Sequence, residues 1–188
     1  MVSNECWLKA QHEERNYHTL NLVDGYKHYG DSYSKYFHFL CIDPLTDHGC
    51  VAEIGPADFP ALAYMKDVGY SYIVEPMPSD ILKTFGISII KKKAEDLDFT
   101  KCEEVWLLNV LQHVQDPGKI VENAKKAKVV RFFEPINYGT DICHLHNLTL
   151  DMFKEWFGDC VKYYPKNDKA VNFHQWECAY GVWTNKNI

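Results

Sequence analysis

The stretch VAEIGPADFPAL, residues 51–62, constrains the fold of this chain more than any other. Val51, Ala52 and Ile54 form a short apolar run of the kind a buried strand carries, and Glu53 interrupts it just before Gly55. Gly55 permits a sharp turn and a close approach of backbone to ligand, Pro56 presets one dihedral, and Pro60 suits the first position of a helix. That helix is expected to run through AYMKDVG to Gly69, a natural stop. A strand, a tight glycine turn and a helix N-terminus aim backbone N–H groups and a positive dipole end at whatever lies over the turn. Glu75, roughly twenty residues beyond Gly55, closes the next apolar run, SYIVE. An acid at that distance is where a nucleotide-binding α/β unit holds ribose hydroxyls.

From residue 51 onward apolar runs alternate with helical segments, which predicts a Rossmann-like doubly wound α/β sheet with helices on both faces. After the strand at 71–75, PMPSDILKTFG reads as a short helix ended by Gly86. ISII and VWLLN are strands, DPGKIVENAKKA a helix, and KVVRFF the fifth strand. A helix from Leu150 to Phe157 follows, with Thr149 as its cap and Gly158 as its stop. CVKYYP and QWECAYGVWTN read as a closing strand pair joined by a polar turn at Lys166-Asn167-Asp168, for about seven strands in all. Upstream, Ser3 or Asn4 can cap a helix over ECWLKAQHEERNYH. After the turn-like Gly30-Asp31, Tyr33, Tyr36, Phe37 and Leu40 fall on one face of a second helix.

The segments YIVEPMP (72–78), KKKAEDLDF (91–99), EEVWLLNVLQHVQDP (103–117) and VVRFFEPIN (129–137) follow the glycine turn in order. Together they resemble the class I S-adenosylmethionine-dependent methyltransferases, in particular their small-molecule branch. Members of that branch carry a strand ending in E/D-x-G, a second ending in an acid, an A-E-D-L segment and an L-x-H-V-x-D-P segment. The resemblance covers residues 51 to about 158 and extends to the final strand pair, an ending typical of the methyltransferase sheet. It implies one domain, with residues 1–45 as a helical cap and 51–188 as the cofactor-binding core. The aromatic stripe at 33–40 then either packs on the sheet or roofs the active site, and Glu14, Tyr17 and His18 are the polar residues to watch.

The resemblance also implies site residues. Glu53 and the loop Gly55, Pro56, Ala57, Asp58 and Phe59 would approach the methionine portion of the cofactor. Glu75 would hold the ribose, Pro76 and Met77 would lie against adenine, and Ala94 and Glu95 would recognise the base. Asn109 would sit beside the sulfonium, with Val110 and Leu111 lining the site. Two departures stand out. G-x-G-x-G has become G-P-A-D-F, with Ala57 and Phe59 replacing glycines and Pro56 lacking an N–H. Lys93 stands where many relatives place an acid, so Glu95 or Asp96 takes the exocyclic amine or that contact is absent.

Composition sets outer bounds. A net charge of −6 argues against a nucleic-acid backbone as partner. No apolar run approaches the roughly 18 residues of a membrane span. Seven cysteines without a C-x-x-C pair, behind an N-terminus unlike a signal sequence, point to the reducing cytoplasm. Methyl transfer requires in-line positioning and sometimes a base. His113, His144 and His146 are the candidates for that base, each with a structural alternative. His144-x-His146 also has the form of a metal-ligand pair. No further Cys or carboxylate stands at ligand spacing, so no metal is expected and the pair, with Tyr138, would line the acceptor mouth. The implied activity is methylation of a small molecule at O, N or C. Two rivals remain: a cofactor-binding partner subunit without transfer chemistry, which the altered glycine loop would suit, and a nicotinamide- or nucleotide-binding Rossmann protein. The single glycine and the closing strand pair disfavour the second.

Overall fold

The computed structural model describes residues 2–17, 22–166 and 176–187 and builds them around one mixed seven-stranded sheet. Its strands are β1 (Val51–Ile54), β2 (Tyr72–Val74), β3 (Ser88–Ile90), β4 (Glu104–Leu108), β5 (Val129–Pro135), β6 (Lys162–Tyr164) and β7 (Cys178–Thr184). They lie in the order β3-β2-β1-β4-β5-β7-β6. β1 to β5 pair in parallel, while β7 runs antiparallel to both β5 and β6. This is the doubly wound sheet with an antiparallel C-terminal pair that the sequence predicts.

Alternation along β4 accounts for the two helical layers. Val105 and Leu107 join one apolar cluster with helices α4 (Pro117–Ala124) and α5 (Leu150–Phe157). Trp106 and Leu108 join the other with α2 (Leu22–Leu40) and Leu82 of the short α3 (Asp80–Lys83). A strand apolar at every second position on both faces belongs in the middle of such a sandwich. Local signals set the helix ends. Asp116 Oδ1 accepts from Lys119 N at 3.0 Å ahead of Pro117, and Thr149 Oγ1 accepts from Met152 N at 3.3 Å. Gly158, with φ of 66°, ends α5. The stripe Tyr33, Tyr36, Phe37 and Leu40 is buried against the sheet, with the Phe37 ring 5.9 Å from Trp106 and Tyr36 5.0 Å from Phe133.

Two expectations are corrected. The helix expected from Pro60 to Gly69 is a single 3₁₀ turn, Ala61–Tyr64, preceded by Pro60 in an extended conformation. Its first N–H groups are taken by the buried Glu53 carboxylate, from Ala61 at 2.6 Å and Leu62 at 2.9 Å. Beyond it, Lys66 N donates to Pro44 O and Gly69 N to Asp67 Oδ1, so the backbone has no i→i−4 ladder. No long helix dipole therefore points at the turn, and α2 packs against the short turn in its place. Second, α2 runs straight through Gly30-Asp31. Its glycines serve close packing rather than a turn: an added Cβ at Gly25 would overlap the Phe59 ring, and one at Gly30 would lie 3.0 Å from Tyr64. His18 and the Asn167-Asp168 turn lie outside the described residues, as does the side chain of Tyr17. Among the described residues no helix is long and apolar enough to cross a membrane.

Candidate functional site

The C-terminal ends of β1, β2, β3 and β4 open onto one cleft. After β1 come Gly55, Ala57 and Asp58; after β2, Glu75, Pro76, Met77 and Ser79; after β3, Lys93, Ala94 and Glu95; after β4, Val110, His113 and Val114. A further wall is helix α1 (Asn4–Tyr17), which contributes Trp7, Gln11, Glu14 and Arg15. Strand order reverses between β1 and β4, the crevice where open α/β sheets bind ligands.

Backbone geometry shapes the loop after β1. Gly55 has φ of 58°, and an added Cβ would overlap Val110, so glycine is required by conformation and by space. Ala57 also adopts a left-handed φ, 52°, a conformation that costs a non-glycine residue about 1–2 kcal/mol. Phe59 leaves the cleft altogether. Its ring is buried on Gly25 and lies 5.0 Å from Tyr29, while its carbonyl accepts from Tyr33 Oη at 2.6 Å.

Three buried carboxylates organise the cleft. Glu53 ties down the Ala61–Tyr64 turn, and burial pushes its pKa up to about 7 against the Leu62 and Ala61 N–H bonds. Glu75, only 9% exposed, accepts from Met77 N at 3.0 Å through Oε1. Burial raises it to about 7; the Met77 N–H and Arg15 oppose the rise, and Glu14 and Asp58 add to it. Glu134, at the end of β5, accepts from Val110 N at 3.0 Å and Leu111 N at 3.1 Å, and burial drives it up to about 8. Sequence reasoning gave Glu134 no role, although the segment FFEP shows an acid closing an apolar strand just as SYIVE does.

Other expected residues fall differently. Glu95 lines the cleft, but its Oε1 accepts from Gln115 N and Asp116 N, both at 3.0 Å, and so braces the loop after β4. Asp96 is exposed outside the cleft. Glu53, Pro56, Leu111 and Asn109 do not line it either; Asn109, with φ of 62°, is exposed and accepts from Gln112 Nε2 at 3.0 Å. His113 lines the cleft at the α1 side, its Nδ1 3.0 Å from Cys143 O and 3.5 Å from Glu14 Oε2. His144 and His146 stand outside the lining, and the His144 ring is 4.8 Å from His113. Among the described residues no three His, Cys, Asp or Glu side chains are grouped to hold a metal.

Of the α1 residues on the cleft, Glu14 was singled out in the sequence as part of an expected helical cap, whereas Trp7, Gln11 and Arg15 were not. Trp7 carries the Lys93 ammonium 4.2 Å over its ring, and Arg15 Nη2 donates to Met77 O. The resemblance implied a cap without saying which α1 side chains face the cleft.

Comparison with protein-family models and with curated protein sequences gives no match. Solved structures do match in fold. One is an S-adenosylmethionine-dependent methyltransferase from Thermotoga maritima, 14% identical with a TM-score of 0.62, the match covering 96% of this chain and 100% of that one. A second is the N-methyltransferase NodS from Bradyrhizobium japonicum with bound S-adenosylhomocysteine, 11% identical, TM-score 0.57, covering 83% and 86%. A third is the plantazolicin methyltransferase BpumL, also with S-adenosylhomocysteine, 9% identical, TM-score 0.53, covering 97% of both chains. This chain has the class I methyltransferase fold. In that methyltransferase fold the cleft lies over the β1–β4 reversal, with Gly55 and Glu75 at adjacent strand ends.

Proposed function

We propose that this chain is an S-adenosylmethionine-dependent methyltransferase acting on a small-molecule acceptor. Glu75 carries the reading. It closes β2 on the cleft, gives one oxygen to the Met77 N–H, and leaves the other for a ligand. A buried carboxylate so arranged suits the two vicinal hydroxyls of a ribose. The neighbouring surfaces fit the rest of the cofactor. Met77, Ala94, Val114 and Ile120 supply apolar flanks for a purine, and the left-handed loop at Gly55 and Ala57 brings backbone to the amino-acid end. S-adenosylhomocysteine bound to NodS and BpumL, which share the fold, supports this cofactor class.

The bound cofactor supplies an electrophilic methyl group. The chain's own part is to hold it, exclude water with α1 and align the acceptor. A cleft walled by the loops after β1 to β4 and by α1 suits a small acceptor, and Glu14, Asp58 and Glu75 around it oppose a polyanion. All seven cysteines are free thiols, in keeping with the cytoplasm.

The test is a thermal-shift panel of S-adenosylhomocysteine, NAD and ATP. At about 100 times its dissociation constant, S-adenosylhomocysteine should add roughly 2.7 kcal/mol and raise the melting temperature by on the order of 5–10 °C. Glu75→Ala should weaken its binding about 10–100-fold in calorimetry with the fold retained. A larger shift with NAD, or none with any ligand, ends the reading. Tight binding without methyl transfer to any acceptor would favour a cofactor-binding partner subunit instead.

A further inference from the structure

The cofactor class proposed above changes charge as it is used. S-adenosylmethionine carries a sulfonium cation, and the S-adenosylhomocysteine left after methyl loss is a neutral thioether. Their purine, ribose and amino-acid ends are identical, so contacts to those ends do not tell the two apart. Discrimination falls to the charges that line the cleft. Four carboxylates line it, Glu14, Asp58, Glu75 and Glu95, against two permanent cations, Arg15 and Lys93.

These charges are not spread evenly. Lys93 and Glu95 belong to the β3 side, where Lys93 donates to Asn4 and Gln115, and Glu95 accepts from Gln115 N and Asp116 N. Arg15 donates to the Met77 carbonyl after β2. Glu14, Asp58 and Glu75 instead converge from three elements: α1, the loop after β1 and the end of β2. Burial above all, and then the charges of Glu14 and Asp58, hold Glu75 up at about 7 against the Met77 N–H and Arg15. The same two charges act on the Tyr29 hydroxyl of α2, which burial first and then they push up to about 12. Glu14 also reaches His113, its Oε2 3.5 Å from Nδ1. The imidazole does not cancel that charge. Nδ1 lies 3.0 Å from the Cys143 carbonyl and Nε2 3.2 Å from Gln112 Nε2, a pattern that a neutral ring satisfies by donating at one nitrogen and accepting at the other.

We propose that Glu14 and Asp58, together with Glu75, make the cleft select a cation at the transfer centre, so that the charged cofactor binds more tightly than its neutral product. This deepens the methyltransferase reading and rests on it. In the transfer, the methyl carbon leaves sulfur without the carbon–sulfur electron pair, which stays on sulfur and cancels its charge. The positive charge passes with the methyl group to the acceptor. The attraction that favoured the cofactor then lapses, and product exchanges for fresh cofactor. Glu14 stands on α1, so the set of three charges is complete only while that helix covers the cleft.

Calorimetric titration of the full chain with three ligands reads this selection without turnover. They are S-adenosylhomocysteine, S-adenosylmethionine and sinefungin, an unreactive analogue with an ammonium-bearing carbon in place of the sulfonium. Both cations should bind about tenfold more tightly than S-adenosylhomocysteine, the scale of one partly screened attraction between unit charges. Raising the salt concentration should narrow that ratio. Glu14→Gln and Asp58→Asn should each reduce the preference several-fold while the affinity for S-adenosylhomocysteine holds. Wild-type binding of S-adenosylhomocysteine as tight as that of the two cations overturns the selection, and so does a ratio that neither variant changes. A chain that binds none of the three overturns the methyltransferase reading and the selection with it, whereas equal binding of all three overturns the selection alone.

Discussion

The two N-terminal helices are consecutive in the chain and attach to the core by opposite means. α2 is fastened by aromatic burial, with Tyr33, Tyr36, Phe37 and Leu40 against the sheet and Phe59 seated on Gly25. α1 buries only Trp7 and Ala10 among its described side chains. Its other ties include polar contacts from Asn4 to Lys93 at 2.6 Å, Gln11 to the His113 carbonyl at 3.3 Å, Glu14 to His113 at 3.5 Å and Arg15 to the Met77 carbonyl. Detaching α2 exposes a large apolar area, whereas the contacts of α1 exchange for water at small net cost. The frame of the cleft and its removable wall are therefore distinct parts, and α1 sits at the low-stability end from which lids are drawn.

The largest expected effect tests the frame. Phe37→Ala should cost about 3–5 kcal/mol in urea unfolding, the usual range for a buried phenylalanine. A cost below about 1 kcal/mol would mean that α2 is held no more firmly than α1.

The frame should also respond to pH. Glu53 and Glu134 have an ordinary value of 4.5 when exposed and are pushed to about 7 and about 8 by burial. A group raised on folding stabilises fully below its unfolded value, and that contribution disappears as pH climbs through its folded value. Global stability should therefore fall between pH 5 and pH 9, by on the order of a few kcal/mol. Glu134→Gln should flatten the upper part of the curve, because one amide oxygen can still accept from Val110 and Leu111. An unchanged slope in that variant would remove Glu134 from the account.

The smallest effect belongs to the wall. Lys93 donates to Asn4 and to Gln115, and lies over Trp7. Lys93→Ala should speed amide hydrogen exchange in residues 4–17 about tenfold, while global stability moves by no more than about 0.5 kcal/mol. Equal losses in both measurements would show that α1 unfolds with the frame rather than ahead of it.

Much of the frame was legible because its signals are short-range. Asp116-Pro117 starts α4, Thr149 and Gly158 bracket α5, and the apolar runs at 51, 72, 104 and 129 are strands. The glycine and acid positions were legible for the same reason: Gly55 and Glu75 sit at strand ends and meet in one cleft, which Ala94, named through the family resemblance, also lines. The misreadings share a cause. Gly30-Asp31 has the form of a turn and Pro60 the form of a helix start. In the fold, Gly30 makes room for Tyr64, and Glu53 takes the N–H groups that would have begun the longer helix.

The sequence by itself determined the alternation of strands and helices, and with it the parallel sheet, because apolar period and capping act over a few residues. Which side chain meets which was decided only by tertiary structure. Phe59, expected at the cofactor, turned into the core because Gly25, far upstream, left a space for its ring. Glu134 reached back to Val110 and Leu111, and the face of α1 that carries Trp7, Gln11, Glu14 and Arg15 came to wall the cleft. Hydrogen-bond partners depend on distances of a few ångströms between segments remote in the chain, and no local pattern carries that information.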